Sequence, residues 1–158
     1  MPATVVTGET IVQTVVDELS AHLPAKLATV AAPVLGATNP IRFGDPLVHE
    51  QTSLPMVSVA LVAARPERQM GSQMLVTTEL VVTAVVSYHD EETLHKYLLR
   101  YVYAIISVLE TEVTVSSLSL KITGWEGSPT MDTAGGGLVQ AAAVHCELPF
   151  LGRTRGDL

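Results

Sequence analysis

Across residues 9–23 the apolar positions Ile11, Val12, Val15, Val16, Leu19 and Leu23 recur every three or four residues, while Asp17, Glu18 and Ser20 fall on the opposite side. This spacing predicts an amphipathic helix, entered near Thr7 and broken near Pro24. A second helical pattern follows His89. Asp90 stands where an N-cap is needed, and Glu91 and Glu92 bring negative charge to the positive end of the helix dipole. Its buried stripe is predicted to be Leu94, Tyr97, Leu98, Tyr101, Val102, Ile105, Val108 and Leu109, with Glu92, Lys96 and Arg100 spaced for pairing on the exposed side. Between these helices the period changes. Residues 55–63, PMVSVALVA, predict a short apolar strand. Residues 75–88 alternate, with Leu80, Val82, Ala84, Val86 and Tyr88 on one face and Glu79, Val81, Thr83, Val85 and Ser87 on the other. That pattern predicts a long strand, apolar on both faces. Two further strands are predicted at residues 117–125 and 138–150.

The segments between these elements are rich in chain-breaking residues. The stretch up to Leu54, including GATNPIRFGDP, reads as a long connection with one short strand. Residues 64–74, ARPERQMGSQM, read as a polar loop that joins adjacent strands and carries Arg65 and Arg68. EGSPTMDTAGGG separates the last two strands. The order helix, strands, helix, strands predicts an α+β fold: a mainly antiparallel sheet with two principal helices packed on it. The 158 residues suit one domain spanning 1–158, with flexible ends at about 1–8 and 152–158. A chain of this length buries roughly 70% of its unfolded surface, so it needs neither disulfide nor metal to fold.

Composition shifts attention to self-association. The chain is 47% hydrophobic and 16% charged, richer in apolar residues than a small monomer requires. A net charge of -7 argues against a surface that holds nucleic acid by neutralising phosphates, while leaving room for one that lets DNA slide past. Residues 27–41, the longest uncharged stretch, contain Pro33, Gly36 and Pro40 and are too short for a membrane span. The first basic residue is Lys26, so the start of the chain does not read as a signal peptide and the cytoplasm is the expected compartment. Cys146 is the one cysteine, which excludes an intramolecular disulfide.

The layout carries little chemistry. Gly135, Gly136 and Gly137 precede a strand with no following Lys-Ser or Lys-Thr pair, so they read as a strand connection and not as a phosphate cradle. Ser128, in EGSPT, lacks the glycine frame of a nucleophile elbow and reads as a turn serine. Cys146 alternates with Val144 and Leu148 and reads as a small buried hydrophobe. In HDEETLH, Glu91 and His95 share a helical face with His89 nearby, a spacing compatible with a divalent metal; a cap and a solvated helix face account for the same residues. His22, His49 and His145 show no ligand spacing. No catalytic, cofactor-binding or metal-binding residue is assigned. The candidate interaction residues are Arg65, Glu67, Arg68 and Gln69 in the polar segment, Trp125 as an interface anchor or else a core aromatic at a strand end, and Arg153 and Arg155 near the end of the chain.

The run TELVVTAVVSYHDEETLHKYLLRYVYAIISVL, preceded by FGDP and LPMVSVAL and followed by two strands ending in CELPFLG, resembles the tail terminator proteins of long-tailed bacteriophages. The likeness covers about residues 9–151 and rests on element order, on the long strand that leads through an acidic cap into an amphipathic helix, and on the closing strand. It implies helices packed on a sheet and a hexameric ring built from copies of the chain. Such a ring caps the head-proximal end of the tail tube, stops tube polymerisation and offers a docking surface to head-tail connector or neck proteins. Genomic DNA passes through the lumen without specific binding. The implied location is the virion, at the neck of the tail, after assembly in the host cytoplasm, with no catalytic residue or cofactor. Related neck and completion proteins share the pattern, so such a role stands beside the terminator role. A small metal-binding α+β enzyme built on His89, Glu91 and His95 is the alternative from a different class.

Overall fold

The computed structural model describes residues 7–36, 39–44, 54–71, 73–115, 118–133 and 135–152. Helix α1 spans Gly8–Thr29, and α2 spans Glu91–Thr111. The strands are β1 (Arg42–Phe43), β2 (Met56–Met70), β3 (Gln73–Tyr88), β4 (Thr114–Val115), β5 (Leu118–Ser119), β6 (Lys121–Gly127), β7 (Met131–Asp132) and β8 (Leu138–Gly152). Six of them form one sheet in the order β1-β2-β3-β8-β6, with β7 also paired to β8. Among the described residues only the β1–β2 pairing is parallel; the other pairings are antiparallel, and β4 with β5 makes a separate small ladder. The fold is therefore α+β, in the predicted order.

Each helix starts where its sequence supplies a cap. The Thr7 Oγ1 accepts from the Thr10 amide at 3.2 Å. The Asp90 Oδ2 accepts from the Thr93 amide at 3.0 Å and from its hydroxyl at 2.8 Å. The predicted break of α1 at Pro24 is not observed. Leu23 and Leu27 are both fully buried, and that packing carries α1 past the missing Pro24 amide to Thr29. Thr7 caps α1, Gly8 is its buried first residue, and Gly152 pairs with Met74. Residues 1–6 and 153–158 lie outside the described residues.

Residues 64–74 are not a loop. β2 and β3 pair from Met56↔Val85 out to Met70↔Gln73, and the turn passes through Gly71 at φ 63°. β8 extends beside this arm to Gly152. The polar, proline-bearing sequence is tolerated because register shifts at Leu61/Ala63 and Pro66/Arg68 absorb its irregularities, and because Pro66 needs no donor on an outer edge with no neighbouring strand among the described residues.

Both helices lie on one face of the sheet. α1 packs beside α2 and over β1 and β2, while α2 covers β3, β8 and part of β6. The core joins Ile11, Val15 and Leu19 of α1, Leu80 and Val82 of β3, Leu98 and Ile105 of α2, and Val144 and Leu148 of β8. Tyr97, predicted in the stripe, is half-buried and meets Tyr88 edge to face at 5.3 Å, while Ala104 joins the core instead. The Arg100 Nη1 donates to the Ala31 carbonyl at 2.9 Å and the Tyr101 hydroxyl to that of Pro33, which ties the connection after α1 to α2. On the helix-free face the apolar packing is small: Met56, Val85 and Val139, with Leu54 and Ala141 against them.

Candidate interaction surface

The predicted interaction residues separate into two places. Arg65 lies on the helix-free face, where its Nη2 meets Glu79 at 2.8 Å and Glu147 at 3.4 Å, linking β2, β3 and β8. All three side chains are partly exposed, so these pairs contribute at most about 1 kcal/mol each. Glu67 and Arg68 are exposed on the same arm, and the Gln69 Nε2 donates to the Gly71 carbonyl at 2.8 Å, bracing the turn. The four residues are thus brought together at the outer end of the β2–β3 hairpin. Trp125 stands on β6, beyond β3 and β8 and level with Val82, five residues along β3 from the Thr77 that faces Arg65, which puts it roughly 22 Å from Arg65 at ordinary strand spacing and rise. Arg153 and Arg155 lie outside the described residues.

Trp125 is not a core aromatic. It pairs opposite Val144, a core residue, so it sits on the helix-covered face, but on the outermost strand, and 42% of it is exposed. A side chain on Gly127 would stand 3.6 Å from the Trp125 ring and 3.9 Å from Leu98. The indole thus lies beside Gly127 and near Leu98, at the shoulder of α2. Arg100, Tyr101 and Ala104 mark the side of α2 turned toward α1 and its connection. Leu99 and Tyr103, one turn apart, lie on the side of α2 turned away from the buried stripe. They are 42% and 60% exposed. Trp125 at this margin and Leu99 and Tyr103 on α2 are thus large apolar side chains left exposed.

The other margin is also apolar. Phe43 on β1 and Val62 on β2 are both more than half exposed. Beside them a cleft of about 680 Å³ opens between the start of α1 and the β1–β2 edge, lined by Gly8, Val12, Phe43, Gly44, Ala60 and Leu61 among others. Sequence reading missed Leu99, Tyr103, Phe43 and Val62. The available signal lay in Leu99 and Tyr103, which interrupt the polar side of the second helical pattern.

The remaining candidates have ordinary settings. Cys146 is 1% exposed, and burial pushes its thiol up to about 12, so it is a thiol and not a thiolate near neutral pH. The Ser128 Oγ accepts from the Ala141 amide at 3.0 Å, which makes it a turn serine. Gly136, at φ 81°, turns the chain from β7 into β8. The His89 ring stacks on Tyr88 at 4.3 Å, and among the described residues no three His, Cys, Asp or Glu side chains are grouped to hold a metal. His22 lies on the surface near Glu18 and Glu112, and His145 is 3.1 Å from Glu126; His49 lies outside the described residues. No helix among the described residues is long and apolar enough to cross a membrane. No protein-family model matches the sequence, and comparison with curated proteins gives no match either.

Proposed function

We propose that the chain is a structural assembly subunit, a phage tail terminator that forms a ring on the head-proximal end of the tail tube. In this role it ends tube growth and presents its other side to connector or neck proteins, at the neck of the virion. The observation that carries the reading is the placing of exposed apolar side chains at both margins of one sheet: Trp125 at one, Phe43 and Val62 at the other. A subunit with two separate sticky margins can contact two neighbours, which is the requirement for a ring. The sequence resemblance to tail terminators supplies the particle and the six-fold expectation. The net charge of -7 suits a lumen that repels DNA instead of trapping it.

A tube grows by adding rings to an exposed end, so a cap that offers no second tube-binding face stops growth by covering the template. Phage lacking this chain are expected to make tails of uncontrolled length that fail to join heads, while heads still fill with DNA. Electron microscopy of the mutant lysate tests this. Tails of normal length rule out the terminator role, and normal tails beside unjoined heads point to a neck protein.

A further inference from the structure

β1 and β2 are parallel neighbours, so no hairpin can join them and the chain between them must travel back along the sheet. It leaves β1 at Gly44, whose amide donates to the Val59 carbonyl at 2.7 Å, and returns at Leu54, two residues before β2. Phe43 stands level with Val59, so the return covers about six residues of strand, or roughly 20 Å. Residues 45–53, DPLVHEQTS, lie outside the described residues, and the chain from Gly44 to Leu54 reaches at most about 36 Å. We infer that this segment crosses the helix-free face of β2 and covers Met56 and Ser58, bringing Leu47 and Val48 to the apolar patch around Met56.

The other face is closed to it. α1 lies over β1 and β2 there, and Val57 and Val59 beneath are fully buried. A route outside α1 has to clear a helix about 10 Å across on the way out and again on the way back. Added to the return along the strand, that is roughly 40 Å, more than the segment can span. Handedness selects the same face. Seen from the helices with β2 pointing up, a residue facing the viewer directs its own amide and carbonyl to the right, a consequence of L chirality. Val59 faces the helices and its carbonyl accepts from Gly44, so β1 lies to the right of β2. The connection therefore moves left. A leftward crossover is right-handed, as about 98% are, only when it passes behind the sheet, on the side without helices.

Burial on the helix-free face marks where the cover lies. Met56 and Ser58 of β2 are 2% and 1% exposed, although both alternate with Val57 and Val59 and so point away from the helices. Farther across the same face, Val81 and Thr83 of β3 and Ala141 and Ala143 of β8 are only part-buried. Arg42 and Thr83 flank Ser58 in register and shield its sides. What removes the last of its water has to stand above it, and the Ser58 Oγ finds no hydrogen-bond partner among the described residues. The occupant is thus a piece of the same chain, fixed by its two attachment points and its length. No second copy is needed. The β8–β6 half of this face stays open, where a trough of about 320 Å³ is lined by Thr83, Glu126, Ser128, Ala141 and Ala143 among others.

Cys146 is the one native cysteine and is buried, so a thiol placed on the helix-free face reports on its own surroundings. Ser58→Cys and, on the open half, Ala143→Cys are made in the full chain, and their labelling by a small thiol reagent is followed under native conditions. Met56→Cys takes the place of Ser58→Cys should the latter fail to melt cooperatively. Ser58→Cys is expected to react at least about tenfold more slowly than Ala143→Cys. Adding Leu47→Asp and Val48→Asp is expected to remove most of that difference while the melt stays cooperative; a Gly/Ser segment of equal length in place of residues 45–53 serves if the double change prevents folding. Equal rates in the otherwise unchanged chain overturn the inference, because the crossover then runs along the open edge of β1 and leaves Ser58 bare. Protection that survives the changes to residues 45–53 also overturns it, and assigns the cover to side chains of the sheet itself.

Discussion

β3 and β6 both run beneath α2, yet their side chains meet opposite environments. Leu80, Val82 and Ala84 of β3 are fully buried, whereas every described position of β6 is exposed except the half-buried Ile122. β3 has a strand on each side and helices above it; β6 has β8 on one side and lies past the shoulder of α2. Composition accounts for part of the difference, since Lys121, Thr123 and Glu126 make β6 the more polar strand. Trp125 is exposed for another reason: it lies on the helix-covered face but on the outermost strand. Central apolar residues hold the fold together, and the marginal Trp125 stays exposed.

The sharpest way to break this comparison is to charge one residue from each region. Ile105 of α2 is fully buried in the core, and Ile105→Asp buries a carboxylate with no counter-charge, so the variant is expected to show no cooperative thermal transition. The milder Ile105→Ala is expected to cost about 2–5 kcal/mol in denaturant titration. Trp125→Ala should cost clearly less than Ile105→Ala. Equal costs would mean that the β6 margin is part of the folding core after all.

The arm sets a middle case. Gly71 turns the β2–β3 hairpin at φ 63°, where a β-carbon is strained although nothing lies within 4 Å to clash with it. Gly71→Val is expected to cost about 1–2 kcal/mol, all of it backbone strain. Titration with denaturant checks this. No change in midpoint would show that the outer arm opens independently of the sheet below.

What the sequence revealed and what it hid follow the same division. The start of α2 was legible because Asp90, Glu91 and Glu92 act within one turn, and its stripe because helical period and burial agree from Leu94 to Leu109. The long face of β3 was legible for the same reason. The arm was hidden because Arg65, Pro66, Glu67, Arg68, Gln69 and Gly71 have loop chemistry. Arg65 to Gln69 are held in a strand by hairpin pairing with residues 74–77, and β3 is flanked there in turn by β8, which is distant in sequence. Pro24 misled for a related reason, because the packing of Leu23 and Leu27 outweighs a local break. As for the candidate surface, Trp125 was identified without its setting. No reading of residues 121–127 alone shows that β8 is their only strand neighbour among the described residues.

A smaller effect sharpens the comparison at the helix end. The Thr93 amide, then its hydroxyl, hold the Asp90 carboxyl below its ordinary value near 3.8. A folded-state pKa below the unfolded one means that the cap's contribution is fully present above the unfolded value and is lost as pH falls through the folded value. Melting temperatures of wild type and Asp90→Ala should therefore differ at pH 7 and converge as pH falls through the folded value. A gap that stays constant down to pH 2 would mean that the carboxylate charge plays no part in the cap.

The smallest expected effect compares two buried hydroxyls. Thr78, on the helix-covered face of β3, is fully buried, and its Oγ1 donates to the Leu148 carbonyl at 2.9 Å. Ser58, on β2, is 1% exposed, and its Oγ has no hydrogen-bond partner among the described residues. Thr78→Val keeps the shape and removes a made bond, so it is expected to cost about 1 kcal/mol. Ser58→Ala removes a hydroxyl that lost its water on folding and gained nothing in return. It is expected to leave stability unchanged or raise it by up to about 1 kcal/mol, since the desolvation penalty disappears along with a single oxygen's packing. The helix-free face, where Ser58 lies between Met56 and Ala60, thus has an unmet polar demand that the helix-covered face does not. Equilibrium unfolding of both variants separates the cases. Destabilisation of Ser58→Ala by as much as Thr78→Val would show that the serine is satisfied in solution, by water or by another copy of the chain.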